Sequence, residues 1–216
     1  MREVDRIFNS MLGKGKTEPY TYYDYIEANG QTGQYIDTGV IVGGDCSIEI
    51  DYIWMSRGGG NSNVWIGGGR NSSSLAYYLR SVNGIFSPHY YNTDISSPII
   101  TYQREYSYQR HKNVITIYDG DSEFFTVTRP PIAISPAHTH YLFSLNDEGA
   151  PSTSYPRTDT RIGKVRIYDS NDVLVRDFRP AVRIADGVAG MHDVVNDVFY
   201  TNANPAGDNF LYGNLT

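Results

Sequence analysis

One cysteine, Cys46, stands in a chain of 216 residues, which excludes an internal disulfide and leaves no thiolate cage for a metal. Charge is also sparse: Asp, Glu, Lys and Arg make up 19% of the chain, and acids outnumber bases to give a net charge of −6. That balance argues against nucleic acid as a partner, because affinity for duplexes comes mainly from Lys and Arg on phosphates. No run of about 18 apolar residues occurs, so no membrane span is expected. The opening MREVDRIFNS is broken by charge and has no apolar core, so it does not read as a secretory signal. A chain folded in a reducing host cytoplasm and released by lysis would have this character, and so would an ordinary cytosolic protein.

What is plentiful is Gly, at 21, and Tyr, at 19. With abundant Ser, Thr and Asn, that composition favours short strands joined by tight turns. A chain of this length buries roughly 70% of the surface its unfolded form exposes, so its core needs no covalent staple.

Val4, Ile7, Phe8, Met11 and Leu12 recur at the spacing of one helical stripe, and Gly13 is placed to end it. A helix of about a dozen residues is marginal alone in water. The stripe is therefore expected to dock on the body of the protein, on a copy of itself or on another subunit. Residues 14–19 (KGKTEP) read as a linker, which makes 1–19 a docking helix and linker and 20–216 a single domain.

From Tyr20 onward helical spacing vanishes. Strands are expected at 22–27, 35–42, 46–54, 64–68, 75–82, 85–91, 113–118, 123–128 and 141–145, with 97–108 ambiguous. Asn83-Gly84 and Asp119-Gly120 mark hairpin turns. In 46–54 the residues Cys46, Ile48, Ile50, Tyr52 and Trp54 oppose Ser47, Glu49, Asp51 and Ile53. Residues 129–138 carry three prolines and read as loop or edge, and 146–160 as a long polar excursion. The stretch 164–202 reads as a hairpin turning at Ser170-Asn171-Asp172, a strand ended by Pro180 and a Gly-punctuated strand pair. It contains no nucleophile, metal cluster or phosphate loop and reads as scaffold. Roughly a dozen strands and almost no helix predict an all-β sandwich or barrel.

Several of these segments together resemble a known family. Tyr25-Ile26-Glu27 with 33–39 (GQYIDTG), Trp65-Ile66-Gly67-Gly68-Gly69-Arg70, and the closing runs 164–169, 174–180 and 187–193 with Phe199-Tyr200 resemble the concanavalin A-like, laminin-G-like jelly-roll domains of gut bacteria and their phages. The resemblance covers residues 22–213. It implies a two-sheet antiparallel jelly-roll sandwich whose members are often carbohydrate binders, adhesins or virion parts, with a minority of glycanases. Fold alone does not license function.

Candidate chemistry is thin. Glu49 and Asp51 share a strand face as in glycanases of this class, but the next alternate position is Ile53, so no further acid lines up for two-carboxylate hydrolysis. Gly15-Lys16-Thr17 lacks the first glycine and the preceding strand of a phosphate loop. His138 and His140 would point one way in a strand and share a metal, yet no third ligand lies near them. Asp119, Asp121 and Glu123, and Asn146, Asp147 and Glu148, offer oxygen ligands without the spacing of a calcium loop. No metal, cofactor or catalytic residue is therefore expected.

The aromatic residues remain. Tyr90, Tyr91, Tyr102, Tyr106 and Tyr108 cluster where core periodicity is weak, and exposed rings suit contacts that are part dry and part wet. Arg70, Tyr90, Tyr91, Tyr106 and Tyr108 are expected to contact ligand, and Val4, Ile7, Phe8, Met11 and Leu12 to dock on partners. The expectation is a non-enzymatic bacteriophage virion protein, present in many copies. Its helix would hold other virion subunits while its sandwich binds carbohydrate or a host surface outside the cell. The alternatives are a bacterial extracellular glycan-binding module and a glycoside hydrolase.

Overall fold

The computed structural model describes residues 19–28, 33–54, 63–72, 75–82, 85–97, 103–133, 135–152, 160–205, 207 and 209–215. The docking stripe Val4–Leu12 lies outside the described residues, as does Tyr102. The side chains of Trp54 and Trp65 are likewise outside the description.

The described strands are β1 (Tyr20–Tyr22), β2 (Tyr25–Ala28), β3 (Ile36–Asp37), β4 (Ser47–Trp54), β5 (Asn63–Ser72), β6 (Leu75–Val82), β7 (Ile85–Tyr91), β8 (Thr93–Asp94), β9 (Glu105–His111) and β10 (Val114–Asp119). They continue with β11 (Ser122–Thr128), β12 (Tyr141–Leu142), β13 (Leu145–Asp147), β14 (Ala150–Pro151), β15 (Thr160–Tyr168), β16 (Leu174–Arg183), β17 (Ala189–Asp193), β18 (Val198–Tyr200) and β19 (Leu211–Gly213). The larger sheet runs β11-β10-β9-β4-β15-β16-β17-β18, with β1 against β16 and β2 between β15 and β19. The smaller runs β14-β13-β5-β6-β7-β8, with β12 between β5 and β3. Pairing is antiparallel except between β13 and β5.

The core lies between the sheets and follows period-2 alternation. Ile48, Ile50 and Tyr52 of β4, Val165 and Ile167 of β15 and Phe178 of β16 point inward from the larger sheet. Tyr77 and Leu79 of β6 and Phe86 and Tyr90 of β7 meet them from the smaller. Tyr52 stacks on Phe86 across the gap at 5.2 Å. The described residues thus form an all-β two-sheet sandwich, as the strand patterning predicts.

Two local details depart from expectation. Pro180 does not end a strand: β16 continues to Arg183. On one side β16 pairs with β15 as far as Phe178 and with β1 only from Ala181, and the Pro180 carbonyl accepts from Tyr23 N at this changeover. The missing N–H therefore falls where no ladder bond is required. The turn after β15 is organised by Asp169, whose carboxylate accepts from the N–H groups of Asn171 and Val173, with Asp172 at φ 63°. Segment 35–42 keeps only Ile36–Asp37 as strand.

Candidate functional site

The outward side chains of β16 alternate with its core residues: Arg179, Ala181 and Arg183 face away from the interior that takes Phe178 and Val182. Register carries this row onto neighbouring strands. Tyr22 pairs with Ala181 and Tyr20 with Arg183; Ala181 pairs with Gly190, Arg179 with His192, and His192 with Phe199. The two small residues leave room for aromatic rings above them, and a Cβ on Gly190 would press on the Phe199 ring.

The result is an aromatic shelf. The Tyr20 ring lies 4.3 Å from His192 and stacks on Phe199 at 5.1 Å, with the Tyr22 ring 5.9 Å from His192. The Arg183 guanidinium sits 5.3 Å over the Phe199 ring and is paired with Asp186 at 2.6 Å. His192 Nε2 is 3.0 Å from Asp197 Oδ1, and its Nδ1 is 2.7 Å from the Tyr22 hydroxyl. A carboxylate only accepts, so Nε2 carries the proton and Nδ1 accepts from Tyr22 in the neutral ring. His192 is thereby fixed in one tautomer. Tyr22 is 38% exposed, and Val198 and Ile184 beside the shelf are exposed as well.

A line of alternating charge leads into the shelf. Glu49 lies 3.4 Å from Arg166, Arg166 3.9 Å from Asp177, and Asp177 3.2 Å from Arg179. Tyr168 also donates to Glu49. Asp51, further along β4, is pushed above its usual range by burial, an effect opposed by a hydrogen bond from Ser107 and the charge of Lys164. Flat rings bordered by guanidinium and carboxylate groups can hold the apolar face of a sugar ring while bonding its hydroxyls.

The five sequence-predicted contact residues do not come together. Tyr90, Tyr106 and Tyr108 are core residues, each at most 4% exposed, so their rings pack between the sheets and offer no exposed face. The Tyr90 hydroxyl accepts from Ile132 N. Burial pushes the Tyr108 hydroxyl up to about 12. Tyr91, at φ 61°, is half-buried against the core. Arg70 is on the smaller sheet, held by Asp147 through bonds of 2.5 and 2.6 Å, in a polar group with Tyr78, Arg80, His89 and Asp94 on the same sheet. Tyr78 stacks on His89 at 4.3 Å, but both are nearly buried.

The turn acids have protein donors: Asp119 takes Arg104, Asp147 takes Arg70, and Asn146 Oδ1 takes Gly149 N. His138 and His140 are not in a strand. His140 packs beside Gly67 inside the sandwich, whereas His138 approaches the turn at Gly149.

The shelf residues Tyr20, Tyr22, His192 and Phe199 escaped sequence reasoning. Their signal was present as an i, i+2 tyrosine pair opening the domain. His192 and Phe199 sit inside the segment that reads as scaffold, and the same strands supply both scaffold and shelf.

No family model matches this sequence, and no curated protein matches it. Among solved structures the chain is similar to a candidate carbohydrate binding protein from Bacteroides ovatus, with a TM-score of 0.53 and 10% identity over 89% of this chain and 61% of that one. It is also similar to a heptameric SAP-like pentraxin from Limulus polyphemus, with a TM-score of 0.38 and 12% identity over 74% of each chain. The Bacteroides likeness establishes a shared fold, and this chain spans about three-fifths of that neighbour's length.

Proposed function

We propose that this protein is a non-enzymatic glycan-binding module of the concanavalin A-like, jelly-roll type, working as an outward-facing part of a bacteriophage virion. The ring surface made by exposed Tyr22 with half-buried Tyr20 and Phe199, bordered by Arg183, Asp186 and Asp197, carries the reading. The fold shared with the Bacteroides neighbour, a candidate carbohydrate binding protein, supports it. A single shelf binds weakly, and many copies on one particle raise the effective strength. Val4, Ile7, Phe8, Met11 and Leu12 would attach the module to other virion subunits.

The full chain, displayed multivalently on a glycan array, should bind a restricted set of sugars. Tyr22→Ala and Phe199→Ala should each weaken that binding by roughly ten-fold or more, since a stacked ring contributes about 0.5–1.5 kcal/mol beyond the area it buries. Binding that is unchanged in both variants, with the fold intact, would remove the shelf from the reading. Attachment is tested separately: deletion of residues 1–16 should abolish incorporation onto particles.

One observation favours a second reading, glycoside hydrolysis. Burial pushes the Asp51 carboxyl above its usual range, two residues along β4 from Glu49, which is paired with Arg166. Ile53, at the next alternate position, is buried and supplies no third acid. Polysaccharide cleavage that is lost in Glu49→Gln would establish this reading over the first.

A further inference from the structure

Arg110 occupies an inward position of β9, two residues beyond Tyr108, with Ile48 and Ile115 as its cross-strand neighbours. It is 2% exposed. Its guanidinium lies over the rings of Tyr77 and Tyr90 from the opposite sheet, at 5.0 and 5.9 Å. Its buried Nη1 and Nη2 have no hydrogen-bond partner. Asp45, on the adjoining turn, instead accepts from the Cys46 thiol.

Nearby, His140 is 5% exposed and neither ring nitrogen has a hydrogen-bond partner. Burial first, and then the charge of Arg110, hold its imidazole down to about 3. His140 is therefore neutral at pH 7 and has one N–H to donate. The Tyr90 hydroxyl donates to Gly44 O and accepts from Ile132 N, which ties the 43–46 turn and the 132 segment over this end of the sandwich.

A guanidinium does not shed its proton in a protein, and a charge buried without a counter-charge is strongly disfavoured. The two Nη groups, left without an acceptor, and the N–H of His140, whose ring feels the Arg110 charge, are donors suited to a negative ion. We infer that Arg110 and His140 hold a small monovalent anion of the chloride class between the two sheets. It neutralises the guanidinium. This site is independent of the shelf on the outer face.

The full chain should be more stable in sodium chloride than in sodium gluconate at equal ionic strength. At a chloride concentration of 100 times the dissociation constant, the folding equilibrium should shift by about 100-fold. Arg110→Met, apolar and of similar length, should lose the chloride response, and Asp45→Asn should keep it. If Arg110→Met fails to fold, wild-type crystals grown in bromide decide: an anomalous peak within hydrogen-bond reach of Arg110 Nη atoms is expected. Equal stability in the two salts, an undiminished response in Arg110→Met, or density showing only water or the Asp45 carboxylate at the guanidinium would overturn the site.

Discussion

Acidification tests the interior most directly, through His140. In the folded protein its imidazole is held down to about 3, against 6.5 for the free group, chiefly by burial. The unfolded chain therefore takes up a proton that the native state refuses. Stability carried by this group is complete above pH 6.5 and drains away as pH falls toward 3. Each pH unit inside that window is worth about 1.4 kcal/mol, so going from pH 7 to pH 4 should remove about 3 kcal/mol. Urea unfolding of the wild type and His140→Leu, followed across that range in gluconate, isolates the effect, because carboxylate titrations are common to both. With a urea slope of about 2–3 kcal/mol/M, the wild-type midpoint should fall relative to the variant by roughly 1–1.5 M. Parallel midpoints in the two proteins would mean that the ring is solvated or already charged in the native state, and the reasoning from burial would fail.

Other perturbations probe the frame. Asp193, fully buried, accepts from the N–H groups of Asp177 and Val195 and from Asn196 Nδ2, with Arg176 3.5 Å away. Asp193→Ala should cost about 3–5 kcal/mol in urea unfolding, because it removes the buried counter-charge of Arg176 and leaves two backbone N–H groups without their acceptor. Gly68 faces Tyr78 on the neighbouring strand, and an added Cβ would collide with Tyr78 Cβ and approach Leu145 Cδ1 to 2.9 Å. Gly68→Ala should therefore lose roughly 1–3 kcal/mol by overpacking. Gly120→Ala, at φ 60° with open space around it, should lose only about 1 kcal/mol, from backbone strain alone. If thermal melts rank the two glycine variants the other way, steric crowding does not set the spacing of β5 and β6.

The layered architecture was legible because it depends on local alternation. Ile48, Ile50 and Tyr52 pointed inward as their period-2 pattern required, and the strands at 75–82 and 85–91 matched to the residue. Short pairings such as β8 and β14 were not legible, since two residues carry no period and form only because a neighbour supplies the ladder. The binding candidates were misjudged for a related reason. Tyrosine is apolar over its ring and polar at its tip, so Tyr106 and Tyr108 in a strand look alike whether they face core or water. Their inward direction is set by the opposing sheet. The shelf could not be read because its rings come from β1, β17 and β18, about 170 residues apart, and meet only through register over Ala181 and Gly190. Arg110 was overlooked because one cation in a tyrosine-rich strand gives no sign of its burial.

The last described strand, β19, lies beside β2, with Gly213 opposite Tyr25 and Leu215 N donating to Asp24. The C-terminal end of the described chain is thus held against β2, beside Asp24 and Tyr25. The same geometry sets the mechanical response. Tension on the end beyond Leu215 would strip β19 from Gly213 inward, one bond after another like a zip, so the outermost strand would yield long before the rest of the domain.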